Sequence, residues 1–187
     1  SQEFIKEYVK AQVSLTENGE LVLAYELPAF SESLATCIAK ATTDLERYSL
    51  AQKVATLTVK PNDFNVVYLH PQNIYVSGND VRLIHYGVSH ILAPQVFNQE
   101  RYLKVYKALV VSILLSKVDF ELAVEGLDAV RESIAEKINA FHSIAEINQF
   151  ISEECHRLEQ KNKESKVQVN KKQWRALVVG AIVLAVT

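Results

Sequence analysis

Residues 66–87 restrict the fold of this chain more than any other stretch. Val66-Val67-Tyr68-Leu69 is a short apolar run that reads as extended, and His70-Pro71-Gln72-Asn73 is a polar loop. Ile74-Tyr75-Val76 and Val81-Arg82-Leu83-Ile84 read as two short strands. Ser77-Gly78-Asn79-Asp80 between them is turn chemistry, because Gly and Asn tolerate the backbone angles of a tight reversal. His85-Tyr86-Gly87 closes the unit. A loop and a small hairpin so tightly spaced leave no room for a helix, so the flanking segments must supply the helical layer.

They are patterned to do so. Val9, Ala11, Val13 and Leu15 alternate with polar residues, Glu17-Asn18-Gly19-Glu20 follows, and Leu21 to Leu27 returns. This predicts a hairpin, with Asn-Gly supplying positive φ and Pro28 closing the second strand. A helix is expected over residues 31–40. A stronger one is expected from Asp44, its candidate N-cap, with Leu45, Tyr48, Gln52, Ala55 and Val59 at helical steps and Pro61 ending it. After Asn98, a candidate cap, Tyr102, Val105, Tyr106, Leu109 and Ile113 form an apolar stripe. Asp119 caps a short helix over 120–125 that Gly126 stops. Residues 129–140 form another helix, and Ser143-Ile144-Ala145-Glu146 is a capping box before Ile147, Phe150, Ile151 and Leu158. Strands first and helices after give an α+β class.

The far end departs from soluble patterning. Ala176 to Thr187 carries no charge, so a helix there is apolar all round and unsuited to a protein surface. Trp174 stands before it, behind Lys171, Lys172 and Arg175, the arrangement expected where a chain enters a membrane from the cytoplasmic side. Residues 159–173 form a basic linker or connecting helix, since Arg157 to Arg175 holds seven Lys or Arg against two Glu. The division is therefore a domain over 1–158, a juxtamembrane segment over 159–173 and the start of a transmembrane helix over 174–187. The chain opens Ser1-Gln2-Glu3 and lacks methionine, which suggests a fragment or processed chain, and no signal peptide is visible. A net charge of −2 gives no general case for nucleic-acid binding. Cys37 and Cys155 have no metal or disulfide spacing and read as free thiols in a reducing compartment.

The spacing of residues 66–87 matches the catalytic core of protein kinases, H-R-D-L-x-x-x-N followed by a hairpin and D-F-G. Leu69 and Asn73 stand where that pattern has Leu and Asn. Tyr68 replaces the catalytic base and His85 the magnesium-binding Asp. A phenol is protonated at neutral pH and makes a poor general base. Magnesium prefers oxygen ligands, carboxylates above all, so an imidazole and one neutral amide do not hold it well. The positions Tyr68, Asn73 and His85 thus read as degenerate, with Tyr68 and His85 filling the interior and Asn73 holding the loop. No catalytic, cofactor-binding or metal-binding residue is assigned. His70, His85 and His90 are close in sequence but lack a helical i, i+4 pair and any carboxylate or Cys beside them. Cys155-His156 are adjacent on a helix and do not face each other. No phosphate-binding glycine motif is present.

Three segments together resemble the EssB/YukC proteins of type VII secretion systems in Gram-positive bacteria. They are Leu69 to Val76 with Ile84 to Val88, Tyr106-Lys107-Ala108-Leu109-Val110 with Ala123-Val124-Glu125-Gly126, and the Lys171-Lys172-Gln173-Trp174-Arg175 entry. The resemblance implies a cytoplasmic pseudokinase-like domain with a small strand region and a mainly helical C-terminal lobe. It also implies a single membrane span, an extracytoplasmic helical domain and a homodimer. The role it implies is a non-enzymatic scaffold without cofactors. The implied partners are an FtsK/SpoIIIE-type membrane ATPase, a small ubiquitin-like protein and other membrane subunits. Two other classes compete with this reading: an atypical phosphotransferase completed by upstream groups, and a membrane-tethered module that binds a nucleotide or metabolite without chemistry.

Overall fold

The computed structural model describes residues 11–57, 65–66, 68–84, 87–88 and 99–185; the side chains of residues 11, 21, 65–66, 87–88 and 166–185 lie outside that description. Strands β1 (Ala11–Leu15) and β2 (Leu21–Tyr25) pair antiparallel with Val13 opposite Leu23. Their turn differs from expectation. Only Gly19 takes positive φ, while Gly19 N donates to the Thr16 carbonyl at 2.9 Å and Thr16 N to that of Glu20 at 2.9 Å. A left-handed glycine behind a four-residue turn suits this longer loop, where a two-residue Asn-Gly turn would not.

Strand β3 (Glu32–Ser33) begins where a helix was expected, and Ser33 then caps α1 (Leu34–Lys40) by accepting from Thr36 N. Thr43, not Asp44, is the N-cap of α2 (Asp44–Val54): its hydroxyl accepts from Glu46 N and the Glu46 carboxylate returns to the Thr43 backbone. Thr43 with Glu46 three residues on makes a reciprocal capping box. The helix ends at Val54, short of Pro61.

The predicted central unit is present. Strand β4 (Asn65–Val66) pairs with β7 (Gly87–Val88), joining its two ends. Between them, β5 (Ile74–Ser77) and β6 (Asp80–Leu83) form a hairpin, and β3 adds to β5 to give the order β3-β5-β6. Ser77 lies opposite Asp80 and only Gly78 of the two loop residues has positive φ, the signature of a type II′ turn. Lys53 Nζ donates to the Gly78 carbonyl at 2.8 Å, clamping this turn to α2.

Helix α3 (Gln99–Leu114) is the axis of the helical half. One apolar stripe was expected, but every residue from Ala108 to Leu114 is buried, as befits a helix surrounded by others. The expected cap Asn98 lies outside the described residues. Around it sit α4 (Phe120–Glu125), capped by Asp119, then a 3-10 turn (Leu127–Ala129), α5 (Ser133–Ala140) and α6 (Ile144–Ala185). Helix α5 starts four residues later than predicted, because the chain first makes the 3-10 turn. Cations close several helix ends: Lys104 Nζ donates to the Glu125 carbonyl, Lys107 Nζ to that of Asn139, and Arg47 to that of Leu114. One buried cluster joins Leu34, Ile74 and Leu83 to Leu109, Ile113, Ile147 and Ile151.

Helix α6 buries Ile147, Phe150, Ile151 and Cys155, half-buries Leu158, and then exposes every side chain from Glu159 to Ser165. Its backbone stays helical to Ala185, so the basic stretch is a helix. The side chains of Lys171, Lys172, Trp174, Arg175 and the apolar run lie outside the described residues. Among the described residues, no helix is long and apolar enough to cross a membrane.

Candidate functional site

The loop from Tyr68 to Asn73 is held by its own backbone. Asn73 N donates to the His70 carbonyl at 2.8 Å, forming a turn with Pro71 at its second position, where the ring pre-sets φ. The Pro71 carbonyl accepts from Ala35 N at 3.1 Å, which satisfies one free donor at the start of α1. Asn73 is 2% exposed. Its side-chain Nδ2 donates to the Tyr68 carbonyl at 2.8 Å, and its own carbonyl accepts from Ile84 N at 2.9 Å. Asn73 therefore ties the start of the loop to the end of the hairpin.

Tyr68 does not fill the interior. It is 47% exposed, while Leu69 beside it is buried. Successive side chains of an extended segment point to opposite sides, so packing Leu69 inward turns Tyr68 out. Its ring stacks on that of His70, with centroids 5.5 Å apart and planes 2° from parallel. The other interior-filling candidate, His85, lies outside the described residues, as does His90.

His70 carries the link that the sequence did not reveal. Its Nδ1 accepts from Gln72 N at 3.1 Å, which leaves the proton of a neutral ring on Nε2. Nε2 lies 2.8 Å from Glu121 Oε1 and donates to it. The Phe120 ring meets the imidazole edge-on at 5.2 Å and 89°. One imidazole thus fastens the loop to the first turn of α4, across 51 positions of sequence. No local signal marks that pairing; Asp119 at the cap shows only where α4 starts.

These groups hold the loop in place. Asn73 is engaged at its side-chain Nδ2 and at its backbone carbonyl. Among the described residues, no group of three His, Cys, Asp or Glu is arranged to hold a metal ion. Cys37 and Cys155 are unpaired thiols. Burial pushes both thiols up, with Glu32 adding to the effect at Cys37 and Glu159 at Cys155, which disfavours the reactive thiolate.

Comparison with known proteins gives this arrangement its context. Residues 4–187 match the family described as WXG100 protein secretion system (Wss), protein YukC. An uncharacterised protein of Clostridium acetobutylicum is 37% identical over 171 residues, covering 91% of this chain and 46% of that protein. The chain thus spans under half the length of the curated relative it matches. The cytoplasmic fragment of Geobacillus thermodenitrificans EssB has a similar fold, with TM-score 0.69 at 18% identity, covering 84% of this chain and 75% of that one. The Staphylococcus aureus EssB cytoplasmic fragment gives 0.61 at 16% identity, covering 82% and 89%. The described α+β arrangement agrees with both folds. With the family match reaching from residue 4 to residue 187, the chain belongs to the EssB/YukC family of the WXG100 secretion system.

Proposed function

We propose that the chain is a non-catalytic, membrane-anchored scaffold of a type VII secretion machine, using a kinase-like fold for protein–protein contact. The observation that carries this reading is Asn73. Of the three chemistry-bearing positions of the kinase pattern it is the one retained, and its side chain is buried with Nδ2 bonded to the Tyr68 carbonyl. A buried side chain whose Nδ2 is held by the Tyr68 carbonyl acts as a strut of the loop. Tyr68 adds to this, since a half-exposed phenol at the place of the base offers contact area more readily than proton transfer.

The domain sits on the cytoplasmic side in this reading. Lys171, Lys172 and Arg175 precede Trp174 and the uncharged run, in the order the positive-inside rule favours. Its partners are the other secretion subunits, a membrane ATPase and a small ubiquitin-like protein among them, and a second copy of itself.

Phosphate transfer from ATP tests the catalytic half of the proposal. The purified chain is expected to transfer no more phosphate than a Tyr68→Phe, Asn73→Ala control, and millimolar Mg-ATP to leave its melting temperature unmoved. Transfer above that control overturns it. Co-purification of the intact protein from native membranes tests the scaffold half, with the secretion subunits expected in the eluate.

A further inference from the structure

We infer that Phe30 is the anchor of a contact with another protein subunit, one that offers an apolar pocket to receive its ring. The inference rests on the scaffold reading and gives it a point of contact. Pro28 to Ser31 form a β-turn: Ser31 N donates to the Pro28 carbonyl at 3.2 Å, and Ser31 Oγ to the same oxygen at 2.6 Å. Of its two central residues only Phe30 has positive φ, at 59°, the pattern of a type II turn. That position ordinarily takes Gly or Asn, because a β-carbon crowds the following carbonyl in the left-handed region. Among the described residues, Phe30 is the one non-glycine residue with positive φ.

Packing within the chain does not repay this strain, because Phe30 is 96% exposed. A single exposed apolar side chain is ordinary on a protein surface. A bulky one in a backbone conformation that glycine adopts freely is an outlier, and strain of this kind gathers at functional sites. The turn is also held firmly. Ser77 Oγ donates to the Ala29 carbonyl at 2.9 Å, which ties the turn to the central hairpin, and Glu32 pairs with Val76 directly after it. The ring therefore stands on fixed backbone, and docking it costs little ordering of the chain. Leu27, 39% exposed just before the turn, adds apolar surface beside it.

The form of the site selects the occupant. A ring almost wholly in solvent is the convex half of a contact, so the partner supplies the concave half, a desolvated pocket of the kind that aromatic anchors fill. A fluid bilayer accepts a phenyl ring on any backbone and gives no reason to hold one strained. Anionic headgroups also need cations, and from Ala11 to Ala39 the chain has four glutamates and no lysine or arginine. Lys40, the first cation after that stretch, is paired with Glu32, and Lys53 is bound to the Gly78 carbonyl. A two-fold contact with a second copy would set the same patch against itself, one convex turn on another. A different protein subunit is the occupant that fits.

The test separates the fold from the contact. Phe30→Asn removes the ring and suits the left-handed backbone, so the variant should melt at the wild-type temperature or up to about 4 °C above it. In the intact protein, co-purified from native membranes, the same change should lower the recovery of one secretion subunit about tenfold or more. A benzophenone analogue of phenylalanine placed at position 30 should, on irradiation of the cells, crosslink to that same subunit. Crosslinks to lipid alone, to a second copy alone or to nothing overturn the inference. So does a variant that melts several degrees lower, because the ring then supports the fold. If Phe30→Asn retains every subunit that the wild type retains, the anchor is excluded while the scaffold reading stands. If the wild type retains none, the scaffold reading falls and the anchor with it.

Discussion

The chain contains two hairpins built from the same local grammar, and they have opposite fates. Each has two short antiparallel strands and a turn that depends on one left-handed glycine, Gly19 in β1–β2 and Gly78 in β5–β6. In β5–β6 the paired residues Ile74 and Leu83 are both fully buried, and Val76 and Val81 nearly so. In β1–β2 the paired Val13 and Leu23 are 64% and 48% exposed, and Leu15 is 71% exposed. The difference lies in what is tied to each turn and strand. The second hairpin is clamped at Gly78 by Lys53, extended by β3, and joined through Asn73 to the loop and through Ile84 back to Asn73. An isolated two-stranded hairpin is marginal in water, and a covering layer decides its stability.

The largest break in this comparison should come from matched truncations. Ile74→Ala leaves a cavity in a packed site and is expected to cost about 2–5 kcal/mol. Leu15→Ala in the other hairpin is expected to stay within about 0.5 kcal/mol, as for exposed sites in general. Urea denaturation of the two variants measures both. Equal losses would mean that β1–β2 is as much a part of the cooperative core as β5–β6.

Next in size is the strut. Asn73→Ala leaves the part-buried Tyr68 carbonyl without its donor and truncates a side chain that is itself buried, and is expected to cost about 1–3 kcal/mol. It should also release the loop locally. Hydrogen exchange should rise at Ile84 and Gln72, whose N–H groups bond to Asn73 and His70, and stay unchanged in β1–β2. An increase confined to β1–β2 would invert the assignment of which hairpin the loop supports.

Much of this was legible in the sequence, and the gaps have physical causes. Glycine placement and alternation marked both hairpins, because turn chemistry and the two-residue period are local. Exposure was not local. The alternation of β1–β2 defines an apolar face but says nothing about what lies over it. Tyr68 was misread as interior because its run is apolar throughout, although alternation with Leu69 allows only one of the two to point inward. The Asp119 cap and Gly126 stop were read correctly because they sit at the helix they bound. The His70–Glu121 contact was invisible because its partners are brought together only by tertiary packing. Helix α3 was under-read as a single stripe: Ala108-Leu109-Val110-Val111 continues unbroken into Ser112 and Ile113, and a continuous run of this kind marks a helix enclosed on all sides.

The smallest expected effects act through α2, which carries the Lys53 clamp. Thr43→Ala removes its N-cap and is expected to cost about 1 kcal/mol. The Glu46 carboxylate completes that cap by accepting from the backbone N–H groups of Thr43 and Thr42, which hold its pKa down at about 2. A carboxylate lowered in the folded state stabilises fully above its unfolded value of about 4.3 and loses that contribution as pH falls toward the folded value. Lowering the pH from 5 toward 2.5 should therefore weaken α2 in the wild type more than in Glu46→Gln, whose amide does not titrate. Hydrogen exchange in α2 and in β5–β6 reads the difference, since the clamp couples them, and β1–β2 should give the same rates in both proteins. If the two proteins respond identically to acid, the cap does not reach the hairpin, and the buried pair Ile74 and Leu83 alone distinguishes it from its exposed counterpart.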